Sequence, residues 1–388
     1  MSRQRNTTED YQGFEQGPIR PPSEAYSLLI RVTRNCPWNR CTFCPVYKES
    51  RFSIRPVEHV KRDIDTVHRS LEIIQKVADD HGSLSRTAVR EAVGNYEQPD
   101  PGGFNAALSW FSGGMRSVFL QDANSLIIKP LDLLEILLHL KKRFPWVERT
   151  TSYARSHTIA RIKDRDLKNF KDAGLNRIHI GLESGSDRVL KMAKKGVTKE
   201  THIKAGLKIK KAGMELSEYI MPGLGGKAYS GIHARETADA LNRINPDFIR
   251  LRTLAIPNSV ELYDDYAAGS FEKCTDLMMA KEILILLESL NGITSVVKSD
   301  HILNLFQNLE GKLPRDKARM LDIAHRFLAM DPDRQCVYQV GRRFGFFSRL
   351  RDMENPRRLA KAEKACRQFG ITPENVDEVI DELMKRFI

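Results

Sequence analysis

The sequence contains no long apolar stretch. No run among its 388 residues approaches the roughly 18 uninterrupted apolar residues that a membrane-spanning helix needs. The N-terminus, residues 1–24, is polar and has no apolar core of the kind that a secretory signal peptide carries. We therefore expect no export and no membrane partner, and we predict a cytoplasmic protein.

Two common active-site motifs are also missing. Residues 223–227, Gly-Leu-Gly-Gly-Lys, lack the upstream glycine and the following Ser or Thr of a P-loop. Residues 181–185, Gly-Leu-Glu-Ser-Gly, carry Glu where a nucleophile elbow needs Ser. These glycines are better explained as turn residues, or as positions where the backbone approaches a ligand.

Cysteine is scarce but concentrated. Of the six cysteines, Cys36, Cys41 and Cys44 fall within nine residues just after the apolar run 27–32. In a reducing compartment such a group favours metal binding over disulfides. Thiolates are soft ligands, and a C-x4-C-x2-C loop can wrap one iron-sulfur cluster. The spacing therefore predicts a metal site with these cysteines as its ligands.

The spacing leaves the kind of metal site open. Plant-type [2Fe-2S] ferredoxins share it, and their fourth ligand would have to be the next cysteine, Cys274. A structural zinc site would instead add a histidine such as His59 or His68. A cluster held by three thiolates alone leaves one iron open to a small molecule, which would make the chain an enzyme. The remaining cysteines, Cys274, Cys336 and Cys366, are interpreted as ordinary buried thiols.

Short β-type runs alternate with longer helical patterns through the middle of the chain, which is typical of βα units and a parallel sheet. The fold class that this alternation predicts is α/β, a (β/α)6 partial TIM barrel with a mostly helical C-terminal region. The predicted strands are residues 27–32, 117–121, 149–153, 177–180, 215–221 and 248–253. The predicted barrel helices are residues 57–77, 131–144, 164–173, 199–212 and 233–244.

Three segments follow from this pattern. Residues 1–26 form an N-terminal extension, residues 27–255 the barrel and residues 256–388 the helical C-terminal region. Within the barrel, residues 78–116 or so contain more turn-forming residues than a βα connection needs. We interpret them as an insertion, either a lid or substrate-binding element or a surface excursion.

Polar and small residues follow each predicted strand. In parallel barrels the reacting groups collect at the C-terminal ends of the strands, so these residues are expected around one mouth. A carboxylate, amides and an arginine there can bind an amino-acid moiety and a ribose. Arg155 is also compatible with a surface ion pair, and Glu183 with a helix cap. The candidates are Asp122, Arg155, Glu183, Ser184, Met221, Gly223 and Thr253.

Over roughly residues 27–255 the sequence resembles the radical S-adenosylmethionine (SAM) superfamily. The resemblance rests on the loop 36–44, with Phe43 before its last cysteine, on residues 177–186 and on the glycine-rich end of the fifth predicted strand. The most similar branch contains oxygen-independent coproporphyrinogen oxidases, methylthiotransferases and the Elongator catalytic subunit. In that family three cysteines hold a [4Fe-4S] cluster whose open iron chelates SAM. A low-potential electron donor drives cleavage of SAM to methionine and a 5′-deoxyadenosyl radical, which abstracts hydrogen from the substrate.

The resemblance implies that Cys36, Cys41 and Cys44 bind the cluster and that Phe43 and the strand-end candidates contact SAM. Two departures accompany it. The usual spacing in the superfamily is C-x3-C-x2-C, one residue shorter than here. The expected Gly-Gly-Glu motif after the second strand is replaced by Gln-Asp-Ala-Asn at residues 121–124, where Asp122 is the substitute for its acidic residue.

Charge favours an anionic partner. The net charge is +12 and the pI about 9.4, and residues 334–367 contain ten Lys or Arg against three Asp or Glu. Aromatic residues interleave with these cations, as in nucleic-acid surfaces, although an amphipathic helical region with core aromatics has the same pattern.

Three hypotheses follow. The first is a radical SAM enzyme acting on an anionic small molecule. The second is an RNA-modifying radical SAM enzyme that uses residues 334–367, in which case replacing Arg342 and Arg343 by Ala would weaken RNA binding. The third is a non-catalytic relative similar to the haem chaperones that resemble coproporphyrinogen oxidases.

Overall fold

The computed structural model describes residues 10–81 and 100–385 of the chain. These residues form two compact units. The first comprises the described parts of Met1–Pro37, Glu49–His179 and Lys211–Glu215, and the second those of Trp38–Lys48, Ile180–Lys210 and Leu216–Ile388. Among the described residues, no helix combines the length and the apolar character that crossing a bilayer requires.

Parallel strands form the centre of the first unit. Strand β1 pairs with β4, and β4 with β5, all in parallel, and β5 then pairs with the beginning of β6. β4 is buried at all five positions, as expected for a strand of a parallel sheet. The strands of this unit are β1 (Leu28–Arg31), β2 (Thr33–Arg34), β3 (Ser53–Ile54), β4 (Ser117–Gln121), β5 (Arg149–Tyr153) and β6 (Leu175–Glu183), whose last residues belong to the second unit.

The helices of the first unit have one apolar face each. In α3, Leu133, Ile136, Leu137 and Leu140 recur at three- and four-residue spacing and are buried, Pro130 occupies the first turn and three basic residues the last. The helices are α1 (Val57–His81), α2 (Pro101–Ser112), α3 (Pro130–Arg143), α4 (Ser156–Ile159) and α5 (Asp164–Asp172). Helix α2 lies within the predicted insertion 78–116, of which residues 82–99 lie outside the described part of the chain.

The second unit continues the alternation and then becomes mostly helical. β7 pairs in parallel with β8, β8 pairs in parallel with β9, and β10 is antiparallel to β9. Its remaining strands are β7 (Glu215–Ile220), β8 (Phe248–Leu251), β9 (Val296–Lys298) and β10 (Gly311–Lys312). Its helices are α6 (Asp187–Met192), α7 (Lys199–Lys211), α8 (Gly226–Ile244), α9 (Glu261–Ala267), α10 (Asp276–Ser289), α11 (Lys317–Leu328), α12 (Pro332–Arg343), α13 (Pro356–Phe369) and α14 (Val376–Lys385).

The predicted fold class, an α/β partial barrel with a mostly helical C-terminal region, is confirmed. All six predicted strands are present with bounds shifted by a few residues at most. The elements that were not predicted include the parallel strand β9, which is only three residues long, and helix α12. The division at residues 26 and 255 stays a prediction.

Candidate functional site

In the first unit, Asp122 holds the residue that precedes the first cysteine of the loop. Its carboxylate is fully buried, and its backbone is left-handed, with φ +73°. One oxygen accepts hydrogen bonds from Arg31 Nε at 2.6 Å and from the backbone N–H of Asn35 at 3.2 Å. Asn35 in turn donates through Nδ2 to the carbonyl of Arg51 at 2.6 Å. The end of β4 therefore fixes the backbone immediately before Cys36.

A cluster of three arginines around Glu15, of which Arg55 is buried and Arg31 and Arg34 are half-buried, supports this anchor and was not predicted from the sequence. Glu15 accepts from Arg31 Nη1 at 2.6 Å, pairs with Arg34 Nη2 at 2.9 Å and lies 3.4 Å from Arg55 Nε. Although burial raises the pKa of Glu15, the hydrogen bond from Arg34 and the charges of the three arginines lower it below its ordinary value. The nearby Gly17 N–H donates to Gln121 Oε1 at 2.8 Å. Glu15 and Gly17 of the predicted N-terminal extension are thus an integral part of this end of the first unit, a role for which the sequence carries no signal.

Arg155 and Asn124 meet at the ends of β5 and β4. The backbone N–H of Arg155 donates to Asn124 Oδ1 at 3.1 Å, and Asn124 Nδ2 donates to Thr158 Oγ1 at 2.9 Å. Asn124 is buried and Arg155 half-buried. The structure therefore brings Arg155 to the strand ends, as the sequence predicted, through a contact of its main chain.

In the second unit, the rest of the cysteine loop is held by hydrogen bonds with backbone groups of other segments. Trp38 Nε1 donates to the carbonyl of Lys194 at 2.7 Å, and Thr42 N–H donates to the carbonyl of Ala193 at 3.1 Å. Thr42 also accepts from the N–H of Leu262 at 2.9 Å. Both sides of the segment between Trp38 and Cys44 are therefore held, which fixes the backbone that carries Cys41 and Cys44.

Phe43 anchors this segment in an apolar cluster. It is 9% exposed and packs with Met221 and Leu254, and Cys41 and Cys44 lie half-buried against the same cluster. Phe43 and Met221, both predicted to contact the cofactor, are thus together beside two of the predicted cluster ligands. The other buried members are Val189, Ala193, Leu224, Ile256, Val260, Leu262 and Phe271.

Next to Phe43 lies a group of charged side chains. Lys195 Nζ is 5.9 Å from the centroid of the Phe43 ring and donates to Glu183 Oε1 at 3.0 Å. Glu183 has φ +61°, a conformation that turns its side chain at the end of β6. Glu218 on β7 interacts electrostatically with both Glu183 and Lys195.

Glu218 is the unusual member of this group. It is fully buried, and neither carboxylate oxygen has a hydrogen-bond partner among the described residues. Burial raises the pKa of Glu218 well above its ordinary value, the charge of Glu183 raises it further, and Lys195 opposes the shift. A buried carboxyl without a partner is costly, so a site that keeps one is suited to a ligand that donates hydrogen bonds. No role was predicted for Glu218 from the sequence, because a single Glu inside a strand pattern carries no motif.

Ser184 and Gly223 belong to one hydrogen-bonded network. His233 Nε2 lies 3.1 Å from the carbonyl of Met221, so the Nε2–H donates there and Nδ1 accepts from the hydroxyl of Ser184 at 2.8 Å. Glu282 accepts from the N–H of Gly223 at 2.7 Å and from Ser230 Oγ at 2.5 Å. Gly223 has φ +87°, which glycine adopts at no steric cost. His233 and Glu282 position this glycine-rich turn, and neither was predicted.

Thr253 is held by the segment that follows β9. Its backbone N–H and its hydroxyl both donate to Asn304 Oδ1 at 3.0 Å. Thr253 is buried. Its predicted contact with the cofactor stays a prediction, and the structure adds that its hydroxyl is hydrogen-bonded to the side chain of Asn304.

The histidines considered as zinc ligands have other contacts. His59 packs edge-on against the ring of Tyr11, with centroids 5.5 Å apart, and His68 lies 5.9 Å from the ring of Phe144 and 3.6 Å from Glu72. Within residues 10–81 and 100–385, no three or more His, Cys, Asp or Glu side chains converge on a point that could hold one metal ion. An iron-sulfur cluster makes a different demand, because each thiolate binds its own iron.

Residues 105–234 match the family model described as Radical SAM superfamily. This segment, which is less than half of the chain, is therefore similar to radical SAM proteins. The matched residues run from helix α2 to helix α8 and include β4, β5, β6 and β7. They contain Asp122, Glu183 and Glu218 but not the cysteine loop.

Similarity to individual radical SAM proteins is limited. The tRNA uridine(34) acetyltransferase of Methanocaldococcus infernus is 26% identical over 113 residues, which are 28% of this chain and 21% of that protein. The solved structure of the Elp3 protein of Methanocaldococcus infernus with an N-terminal deletion has a TM-score of 0.38 at 16% identity, covering 48% of each chain. The cobalamin-dependent radical enzyme OxsB has a TM-score of 0.45 at 15% identity, covering 92% of this chain and 54% of that one. The chain thus spans about a fifth of the curated relative and about half of each structure.

The radical SAM superfamily, to which residues 105–234 are similar, uses a [4Fe-4S] cluster and SAM as cofactors. The residues present fit these groups. The half-buried thiols of Cys36, Cys41 and Cys44 are soft ligands for iron, and the buried carboxyl of Glu218 lacks the hydrogen-bond donor that a ligand would supply.

Proposed function

We propose that the protein is a radical SAM enzyme that abstracts a hydrogen atom from an anionic small-molecule substrate. Cys36, Cys41 and Cys44 would hold a [4Fe-4S] cluster, which together with SAM would supply the hydrogen-abstracting radical chemistry. A low-potential electron donor supplies the electron, and we expect the reaction in the cytoplasm. Residues 27–255 carry the chemistry in this proposal, followed by the helical region 256–388.

One observation carries the proposal: the segment with Cys41, Phe43 and Cys44 packs on the cluster that contains Met221, next to the partnerless carboxyl of Glu218. Ligating thiols, an apolar surface and a buried acceptor therefore belong to one neighbourhood of the second unit. A ligand with an apolar ring and several N–H and O–H donors, such as SAM, matches these three features.

In this proposal each residue of the chain has a limited task. Cys36, Cys41 and Cys44 hold the cluster, and Asp122 keeps the loop in place through Asn35. Glu183 and Glu218 accept hydrogen bonds from the ammonium or ribose groups of SAM, and Lys195 holds the carboxylate of Glu183 in place by its hydrogen bond. The remaining predicted contacts with SAM are proposed for Phe43, Arg155, Ser184, Met221, Gly223 and Thr253.

The test is anaerobic reconstitution of the wild type and of Cys41→Ala, with Cys274→Ala as the matched control. Cys274 is buried, and burial raises the pKa of its thiol to about 12, which makes it a poor ligand. We expect about four irons per chain in the wild type, an EPR spectrum of the reduced protein that SAM perturbs, and 5′-deoxyadenosine after reduction. Cys41→Ala should lose all three and Cys274→Ala none. A two-iron cluster, or loss of iron in Cys274→Ala, would contradict the proposal.

A second candidate, an RNA substrate, is favoured by the exposed face of helix α13. Arg357, Lys361 and Lys364 are exposed on successive turns and form no ion pair with any described residue. At the end of the helix, Phe369 is 57% exposed and stacks on Phe344 at 5.8 Å. Cations beside exposed rings suit phosphates and bases. The relative that is 26% identical over 113 residues is named as a tRNA uridine acetyltransferase.

The prediction that Arg342 and Arg343 contribute to an RNA-binding surface was wrong. Arg342 and Arg343 are buried, and both donate to the protein itself, Arg343 to the carboxylate of Asp276 at 2.7 Å. A triple variant with Ala at Arg357, Lys361 and Lys364 is the appropriate probe, measured against tRNA by fluorescence anisotropy over a salt series. An RNA substrate predicts a smaller salt slope and weaker binding than in a control with Ala at the exposed Lys142, Lys191 and Lys204. Equal losses in both variants would indicate non-specific attraction.

A further inference from the structure

The segment that follows β9 is unusually well fixed for a loop. Four successive backbone carbonyls, those of residues 302–305, accept hydrogen bonds from two buried arginines of α12. Arg342 donates to residues 302, 304 and 305 at 3.1, 2.8 and 3.1 Å. Arg343 donates to residue 303 at 2.7 Å and pairs with Asp276. Loops that carry binding groups are effective when supporting residues lock their geometry.

The same segment is clamped to the end of β8. Asn304 Nδ2 donates to the carbonyl of Leu251 at 2.9 Å, and Asn304 Oδ1 accepts from the N–H of Thr253 at 3.0 Å. The N–H of Asn304 donates to the carbonyl of His301 at 3.0 Å, which closes a turn. Because Leu251 and Thr253 flank Arg252, this clamp sets the His301 turn against Arg252.

Arg252 and His301 both present hydrogen-bond donors. The side chain of Arg252 is exposed and makes no hydrogen bond or ion pair with the described residues. The next arginine on that side of the strand, Arg250, is by contrast satisfied by Asp300 at 2.6 Å. His301 Nδ1 accepts from the N–H of Leu303 at 3.3 Å, so a neutral ring carries its proton on Nε2.

Burial and the charge of Arg252 lower the pKa of His301 to about 4, with Asp300 opposing. The ring is therefore neutral at pH 7 and offers a fixed N–H donor. An arginine without an acid partner, beside a neutral N–H donor, is complementary to an oxyanion.

These two residues also lie near the proposed reaction site. Leu254, two positions after Arg252, packs in the same cluster as Phe43 and Met221, on which Cys41 and Cys44 rest. An anionic group bound by Arg252 would therefore belong to a molecule that lies at the C-terminal end of β8. Barrel enzymes bind their substrates at this end of the strands.

We propose that Arg252 and His301 bind an oxyanion of the substrate, a carboxylate or a phosphate. The inference rests on the proposed function and deepens it, because it assigns residues to the anionic group of the substrate. Arg252 supplies the charge and a bidentate donor, His301 Nε2–H supplies direction, and Arg342, Arg343 and Asn304 are positioning residues.

The probes are inorganic phosphate and citrate, added to full-length anaerobically reconstituted protein with ¹⁵N-labelled histidine. His301→Gln identifies the His301 resonance. We expect saturable shifts of that resonance at millimolar concentrations of the anion. Tighter binding of phosphate would identify the substrate group as a phosphate, and tighter binding of citrate would identify it as a carboxylate. Arg252→Ala should weaken binding of the anion at least tenfold and Arg252→Lys less, whereas Arg165→Ala, which changes an exposed arginine of α5, should have no effect.

Three outcomes overturn the inference. The first is a His301 resonance that does not respond to either anion. The second is an affinity for the anion that is unchanged in Arg252→Ala. The third is a loss of affinity for SAM in Arg252→Ala, which would mean that Arg252 and His301 bind the cofactor and not the substrate. Thermal unfolding of each variant shows whether a loss of anion affinity is due to misfolding. Because Arg252 is exposed, we expect its replacement to have little effect on stability. Failure of the proposed function has a separate signature, the absence of 5′-deoxyadenosine from the wild type, and the anion titration can be read in either case.

Discussion

The carboxylate of Asp122 accepts a hydrogen bond from the backbone N–H of Asn35, one residue before Cys36, at 3.2 Å. The same oxygen is 2.6 Å from Arg31 Nε, so the anchor is a buried ion pair as well. The end of β4 therefore controls the conformation from which the cysteine loop begins. The acidic residue at this position, which the sequence suggested as a contact of SAM, has a structural task in the protein itself.

Asp122→Asn should reduce iron loading. The amide keeps the size of the side chain but removes the charge opposite Arg31, and breaking a buried pair costs about 3 kcal/mol. We expect a lower midpoint of urea unfolding and a lower iron content after reconstitution. Asp172→Asn, which changes an exposed acid paired with Lys168, serves as the control. Wild-type iron content in Asp122→Asn would show that the loop does not need this anchor.

Glu218→Gln should flatten the pH dependence of stability. The folded-state pKa of Glu218 is raised above the ordinary value of 4.5, so the folded protein binds a proton that the unfolded chain releases. Its contribution to the free energy of unfolding is complete below about pH 4.5 and declines as the pH rises toward the folded-state pKa. Urea midpoints measured between pH 4 and pH 8 should fall more steeply in the wild type than in Glu218→Gln. Parallel curves would show that the carboxyl ionises without cost.

Glu24→Gln should remove part of the acid sensitivity. Burial raises the pKa of Glu24, but hydrogen bonds from His179 and Ser27 and the charges of His179 and Arg149 outweigh it and lower the pKa to about 2. The stabilisation is present above about pH 4.5 and is lost as the pH falls toward 2. The difference corresponds to a free energy of unfolding on the order of 3 kcal/mol. Acid titrations followed by circular dichroism should therefore show a steeper loss of structure in the wild type, and an equal loss in both proteins would contradict this assignment.

Arg343→Ala should destabilise the helical region, whereas Arg357→Ala should not. Arg343 and Asp276 form a buried ion pair at 2.7 Å, and removing one partner of such a pair costs about 3–5 kcal/mol. Arg357 is exposed and makes no ion pair among the described residues. Urea unfolding of the two variants is the measurement. Similar midpoints would mean that the Asp276 charge finds water or another partner in Arg343→Ala.

The sequence predicted the barrel well because its signals are local. β4 and β5 were located to the residue, since short β-type runs bounded by helical patterns leave little choice. β9 was missed because three residues give no periodicity, and it is recognised only by its pairing with β8.

Side-chain roles were harder to predict, because each depends on residues distant in the chain. Arg342 and Arg343 look like surface cations in sequence, yet they are buried because the carbonyls of residues 302–305 and the carboxylate of Asp276 are available to them. The importance of Glu218 likewise depends on burial, which no motif encodes.

The hydrogen bonds from Arg342 and Arg343 to the carbonyls of residues 302–305 restrict which parts of the second unit can unfold locally. Two guanidinium groups on one helix replace the water that would otherwise solvate four peptide carbonyls, so this stretch cannot leave without exposing both charges. Its amides should exchange with deuterium as slowly as those of α12, as one cooperative unit. Residues 302–305 are therefore a fixed segment of the second unit next to His301.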